Sequence, residues 1–222
     1  MATLANIQSA FKHALQDTSG LLESIDGSST NVRDRLIGET IKDYSKRLPQ
    51  VKVADIAPVA LSVNSNIFSV PSDFTVSGTS SMINIEYPID KVPPSYLERK
   101  RHWDISNAPA GLRIWFRTAP TDTYRLRYTL FHASNASTIP ARDEELVGKW
   151  AAAKALQYFA DRYSQSRDAT LTVDSSDPKG KGDILQRRYE SLMAEVDMML
   201  RSLELAWIMD NNHWTKFTSY RV

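Results

Sequence analysis

Apolar residues spaced by three and four open and close this chain, and between them, from Gln50 to His132, the pattern reads only as strands. Leu4, Ile7, Phe11 and Leu15 share one stripe, which predicts a short first helix. Gly20, Gly27, Ser28 and Ser29 interrupt it. A second helix is predicted to start near Ser29 to Asn31, whose side chains can accept from free N-terminal amides. It carries Ile37, Ile41, Tyr44 and Leu48 on one face until Pro49 ends it.

From Val51 the period shortens to apolar or alternating runs punctuated by turn residues: VKVADIAPVAL, NIFSVPSDF, SMINIEYPI, GLRIWFR and YRLRYTLF. In the last two, Leu112, Ile114 or Trp115, Leu126, Tyr128 and Leu130 alternate with Arg113, Arg117, Arg125 and Arg127, as on half-buried strands. They bracket TAPTDT, which predicts a hairpin connection. KVPPSYLERKRHWDI, Pro-rich and then charged, predicts a connection or edge segment. Five or six strands imply a small sandwich or partly closed barrel.

Pro140 predicts the start of a third helix, with Asp143, Glu144 and Glu145 in its first turn, where negative charge suits the helix dipole. Leu146, Trp150, Ala153, Leu156, Ala160 and Tyr163 line one face, and the AAAKAL run would let another helix approach closely. After the polar break SRDATLTVDSSDPKGKGD, a fourth helix carries Leu185, Tyr189, Leu192, Val196, Met199 and Leu203 as a narrow stripe suited to an antiparallel partner, with Leu146, Trp150 and Leu156 as its expected cover. Beyond it Trp207, Ile208, Met209, Trp214, Phe217 and Tyr220 keep no period, and Asn211-Asn212 predicts a bend. The fold class expected is therefore α+β: an antiparallel helical bundle (1–49 and 139–204) with an inserted small antiparallel β domain (50–138) and an extended C-terminal arm (205–222).

Composition narrows the chemistry. The absence of cysteine from the 222 residues removes disulfides, thiolate zinc sites and cysteine nucleophiles. A net charge of +1 argues against a dedicated nucleic-acid binder that works through a large cationic surplus. The amphipathic start reads as a helix, not as a leader or a membrane span. His13, His102, His132 and His213 have no ligand-like spacing and read as surface or packing residues. Asp174, Asp177 and Asp183 lack the alternation and final Glu of a calcium loop, and PKGKGD lacks the ending of a phosphate-binding loop. No catalytic centre, cofactor or metal is expected. Two surfaces remain. The aromatic tail suits interface anchors, against the alternative that it folds back on its own core. Between Lys91 and Leu130, basic residues outnumber acidic ones, which makes Arg113, Arg117, Arg125 and Arg127 a candidate patch facing DNA or an acidic partner.

The segments YSKRLP, FSVPSDF, INIEYP, LRYTLFHA and TIPARDEELVGKWAAAKALQYFADRYSQ, with Pro71, Asp73 and Phe74 among them, are the basis of a resemblance. From about Val32 to Leu203 the chain resembles the head-tail adaptor (head completion or connector) proteins of tailed bacteriophages. The resemblance implies a homo-oligomeric ring, commonly dodecameric, under the portal protein in the virion neck, assembled in the host cytoplasm. It also implies a C-terminal arm reaching the portal, which assigns that role here to Trp207, Ile208, Met209, Trp214, Phe217 and Tyr220. Implied partners are the portal, a tail or nozzle protein and double-stranded DNA passing without sequence recognition, with no membrane. A neutral net charge suits a channel through which DNA slides. Two other classes compete: a virion-associated cell-wall hydrolase, which would need a placed carboxylate pair that the sequence does not offer and which variants of Glu144 and Glu145 would test, and a DNA-binding module using the Arg-rich sheet.

Overall fold

The computed structural model describes residues 1–15, 32–59, 66–74, 80–108, 111–165 and 178–216. These residues form a mixed α+β structure with four helices and two antiparallel sheets. The chain divides into a helical unit, Met1–Leu48 with His132–Trp214, and a unit built around the β region Pro49–Phe131. The segment from His132 that leads into the third helix belongs to the helical unit.

In the helical unit, α1 (Leu4–Leu15) buries Ile7 and Phe11, and α2 (Val32–Arg47) buries Leu36, Ile37, Ile41 and Tyr44. Both match the periodicity of their sequences. The predicted α2 start at Ser29 to Asn31 and the Gly20–Ser29 break lie outside the described residues. Pro140 precedes a 3-10 turn, Ala141–Asp143, which leads directly into α3 (Glu144–Gln165). α3 is broader in its burial than a single stripe: Leu146, Val147, Ala151, Ala152, Ala153 and Ala155 are all buried, because α1 and α2 both pack against it. The Tyr163 side chain lies outside the described residues.

α4 (Pro178–Lys216) departs from the sequence expectation at both ends. It starts at Pro178, a residue whose fixed φ and missing N–H suit a first helical turn, inside the predicted polar break. It then continues without interruption through Asn211-Asn212 to Lys216, so the expected bend and extended arm are replaced by helix over those residues. Within it, Val196 and Leu200 are the fully buried positions, while Leu192, Met199 and Leu203 are half-buried. The predicted stripe is therefore the inward face, widened by Leu200. Lys149 of α3 pairs with Glu195, and Arg47 at the end of α2 pairs with Glu204 and Asp197, fixing α4 against both.

Among the described residues the β unit holds seven strands: β1 (Gln50–Ile56), β2 (Ile67–Ser69), β3 (Met82–Glu86), β4 (Tyr96–Leu97), β5 (Trp103–Ala108), β6 (Gly111–Phe116) and β7 (Tyr124–Leu130). They pair in the orders β1-β7-β3-β4 and β2-β6-β5. Leu126, Tyr124, Tyr128 and Ile85 from the first sheet meet Phe68, Ile114, Phe116 and Trp103 from the second in one core, with Phe116 edge-on to both Phe68 and Tyr124. One expectation fails here. TAPTDT is not a hairpin turn but carries the chain from β6 in one sheet to β7 in the other. A hairpin pairing joins β5 and β6, with Ala108 opposite Gly111. The segment expected as a connection or edge segment supplies β4 and the start of β5, which are edge strands of their sheets, yet Trp103 within it is 1 % exposed and belongs to the core.

Candidate functional site

The four arginines of the candidate basic patch do not share a face. On β6, Ile114 and Phe116 point into the core, so Arg113, Trp115 and Arg117 take the outer face of the three-stranded sheet. On β7, Tyr124, Leu126 and Tyr128 point inward, which places Arg125 and Arg127 on the outer face of the other sheet. Both sheets turn their inner faces to one core, so the two pairs lie on opposite sides of it.

Arg125 is also neutralised where it stands. It is directly opposite Asp55 on β1 and Glu86 on β3, and its guanidinium donates to Asp55 at 2.7 and 3.0 Å, to Asp90 at 3.0 Å and to Glu86 at 3.4 Å. These hydrogen bonds with Asp55 and Asp90 hold the guanidinium pKa above its ordinary value, and the bond from Arg125 holds the Asp55 carboxyl below the usual range. The first sheet thus presents an ion-paired row across three strands.

The C-terminal candidates separate in the same way. Trp207 packs half-buried against the helical core, whereas Ile208 and Met209, on the next two positions, are 44 % and 70 % exposed. Leu205 is exposed on the same turn. Trp214 belongs to α4, but its side chain, and Phe217 and Tyr220 entirely, lie outside the described residues. Beside this segment, Leu146 of α3 and Met198, Met199 and Leu203 of α4 line a groove of about 380 Å³ edged by Arg142 and Asp143.

The acidic trio at the head of α3 is committed to structure. Glu144 accepts from the Thr3 N–H and from Asn6 Nδ2, both at 3.0 Å, and so closes the start of α1, where Thr3 Oγ1 also accepts from the Asn6 N–H. Glu145 pairs with Lys149 one turn on. Asp143 is the member that periodicity misassigns: it is 3 % exposed and accepts from the Tyr44 hydroxyl at 2.7 Å, beyond any role in the dipole. Burial and this carboxylate together push the Tyr44 pKa far above that of a free phenol.

Tyr44 also leans on His132, with ring centroids 5.2 Å apart, at the point where the chain leaves the helical unit after Leu48 and re-enters it. The His132 Nε2 lies 2.9 Å from the Leu48 carbonyl, an obligate acceptor, so Nε2 carries the proton. Nδ1 then accepts from the Thr138 hydroxyl at 3.1 Å, while the Thr138 oxygen accepts from the Ala133 N–H. The His132 N–H donates to Ser45 Oγ. The ring is therefore fully bonded in its neutral form. Burial, only partly opposed by the Leu48 and Thr138 bonds and by Asp143, lowers its pKa below the ordinary 6.5. The unfolded chain consequently takes up the proton first on acidification. This contribution is complete above about pH 6.5 and is lost as pH falls toward the folded-state pKa, with a slope of at most about 1.4 kcal/mol per pH unit. Denaturation of the wild type and His132→Gln between pH 7.5 and 5 should show this slope and its loss in the variant; equal slopes would place His132 outside the buried network.

No pair of these groups forms a recognisable catalytic set, and among the described residues no three His, Asp or Glu side chains cluster as a metal site. No helix among them is long and apolar enough to cross a membrane. No family model matches the chain, and no match to it emerges among curated proteins.

Proposed function

We propose that this chain is a structural adaptor of a tailed-phage neck, forming a ring between the portal and the tail that completes the head and helps to retain packaged DNA. The observation that carries the proposal is the C-terminal half of α4. Leu203 is opposite the head of α3, and the helix continues from there to Lys216, about 20 Å at the usual helical rise. Over its first two turns it keeps Trp207 against the core and turns Leu205, Ile208 and Met209 to the outside. A helix that is anchored on one face and apolar on the other is suited to enter a groove on a second protein.

The portal-binding element is a helical continuation of an antiparallel bundle over residues 204–216, with Ile208 and Met209 as its first anchors; Trp214, Phe217 and Tyr220 follow in the sequence as further anchors. The groove over Leu146 and Met199 offers a neighbouring subunit a separate apolar seat, as the heterologous contacts of a ring require. The test is the double variant Ile208→Asp with Met209→Asp. Both side chains are exposed, so thermal stability should stay within a few degrees of wild type, while attachment to portal-bearing heads falls at least tenfold. Undiminished attachment by a folded double variant would remove α4 from the contact, and failure of the wild type to attach would remove the adaptor reading itself.

A further inference from the structure

The outer face of the β2-β6-β5 sheet combines an exposed indole with basic side chains. Trp115 is 38 % exposed near the end of β6, the central strand of the three, in a row with Ile67 on β2 and Asp104 on β5. Arg113, two residues before it on the same face, stands between the short side chains of Ser69 and Ser106. Arg117, two residues after it, is exposed beside the turn into β5, where its N–H donates to the His102 carbonyl. That turn adds Arg99, Lys100 and Arg101.

Charge on the β unit is segregated between its sheets. Asp55, Glu86 and Asp90 surround Arg125 on the first sheet, and Asp73 pairs with Lys52. On the second sheet and its adjoining turn, the basic residues Arg99, Lys100, Arg101, Arg113 and Arg117 outnumber the acidic Glu98 and Asp104, of which Glu98 pairs with Arg101 and Asp104 with Arg99. An indole flat enough to receive a base, flanked on both sides along one strand by guanidinium groups, matches a single strand with splayed bases. A duplex hides its base faces by stacking, so it could meet only the charges.

We propose that the outer face of the β2-β6-β5 sheet binds single-stranded nucleic acid, with a base stacked on Trp115 and the backbone phosphates on Arg113 and Arg117. The site is independent of the adaptor reading and of α4. Its recognition is sequence-tolerant, since stacking and charge carry it and the serines flanking Arg113 are too short to read base edges.

The experiment titrates the full chain with an oligo-dT of about twenty nucleotides and with a duplex of the same length, by anisotropy, over a salt series. Expected are a preference for the single strand of at least tenfold, a loss of tenfold or more in Trp115→Ala, and partial retention in Trp115→Phe, which keeps a ring face. Arg117→Gln should reduce the slope of log affinity against log salt by about 0.7, one phosphate contact on a single strand. Lys52→Gln, on the other sheet, should change neither. Equal affinity for duplex and single strand, or wild-type affinity in a folded Trp115→Ala, overturns the proposal, as does the absence of binding at low salt. A Trp115→Phe variant as weak as Trp115→Ala would likewise exclude stacking as its basis.

Discussion

Replacing Trp103 with alanine is expected to destabilise the β unit by about 3–5 kcal/mol, the range for deleting a large aromatic from a core that cannot collapse around the space. Trp103 is buried, pairs with Phe116 across β5 and β6, and packs with Ile114 and Leu126 from both sheets. Its Nε1–H donates to the Leu97 carbonyl at 2.9 Å, so the indole also ties β4 to the start of β5, while Arg99 lies over the ring at 5.8 Å. Trp103→Phe refills most of the volume and should cost far less, about 1–2 kcal/mol, mainly for the unmade bond to Leu97. Chemical denaturation of the two variants separates these contributions. A cost below 1 kcal/mol in Trp103→Ala would mean that the sheets do not close over this side chain.

Trp103 is also where local sequence was least informative. Two prolines and the run ERKRH precede it, and both mark a connection by every local rule. In the structure those charges occupy a tight turn, with Lys100 at φ 67° and the His102 N–H donating to the Glu98 carbonyl, and the strand begins at the next residue. A turn signal says where the chain bends but not which sheet receives it. TAPTDT failed for the same reason: it is a turn, and its flanking strands pair elsewhere. Alternation fixed the inward sets Ile114 and Phe116, and Leu126 and Tyr128, on each strand, yet it could not say that the arginines between them would face opposite ways.

The helices were legible wherever burial repeats faithfully, as in Ile7 and Phe11 or Ile37, Ile41 and Tyr44. On α4 the expected stripe is the inward face, and what the strict alternation omits is Leu200, four residues after Val196, because the buried face is wider than one seam. Its tail was read as irregular because asparagines are weak helix formers. Each costs only about 0.7 kcal/mol relative to alanine, which a long helix with a packed Trp207 absorbs. Asp143 reads from sequence only as a first-turn acid and His132 only as a surface or packing histidine, because their partners lie far away in sequence, on α2. No local pattern marks them. The exposed Trp115 was visible as a residue but not as a surface, since the choice between Ile114 and Trp115 for the inward position is made by the pairing with β2 and β5.

The tightest constraint in the helical unit is the crossing of α1 and α3. A Cβ built on Gly148 would lie 2.5 Å from the Ala10 Cβ and 3.0 Å from the Phe11 backbone nitrogen, neither of which can swing aside. The AAAKAL run was rightly read as a place of close approach, but the contact that sets the distance is one turn earlier, at the glycine. Gly148→Ala therefore opposes two effects. Helix propensity favours alanine by about 1 kcal/mol, and forced separation of packed helices costs about 1–3 kcal/mol. The second prevails because both obstacles are rigid, so a net loss of about 1–2 kcal/mol is expected. Gly148→Val adds two more carbons at the same point and should lose at least about 3 kcal/mol, enough to leave a marginally stable chain partly unfolded at 37 °C. Ala10→Gly removes the nearer obstacle. Combined with Gly148→Ala it should recover at least about 1 kcal/mol beyond additivity, a coupling that two unconnected sites would not show. The readout is denaturant unfolding of the single variants and the pair. If Gly148→Ala instead stabilises the chain, the two helices stand further apart than this crossing requires, and α1 then contributes less to the core than its buried Ile7 and Phe11 indicate.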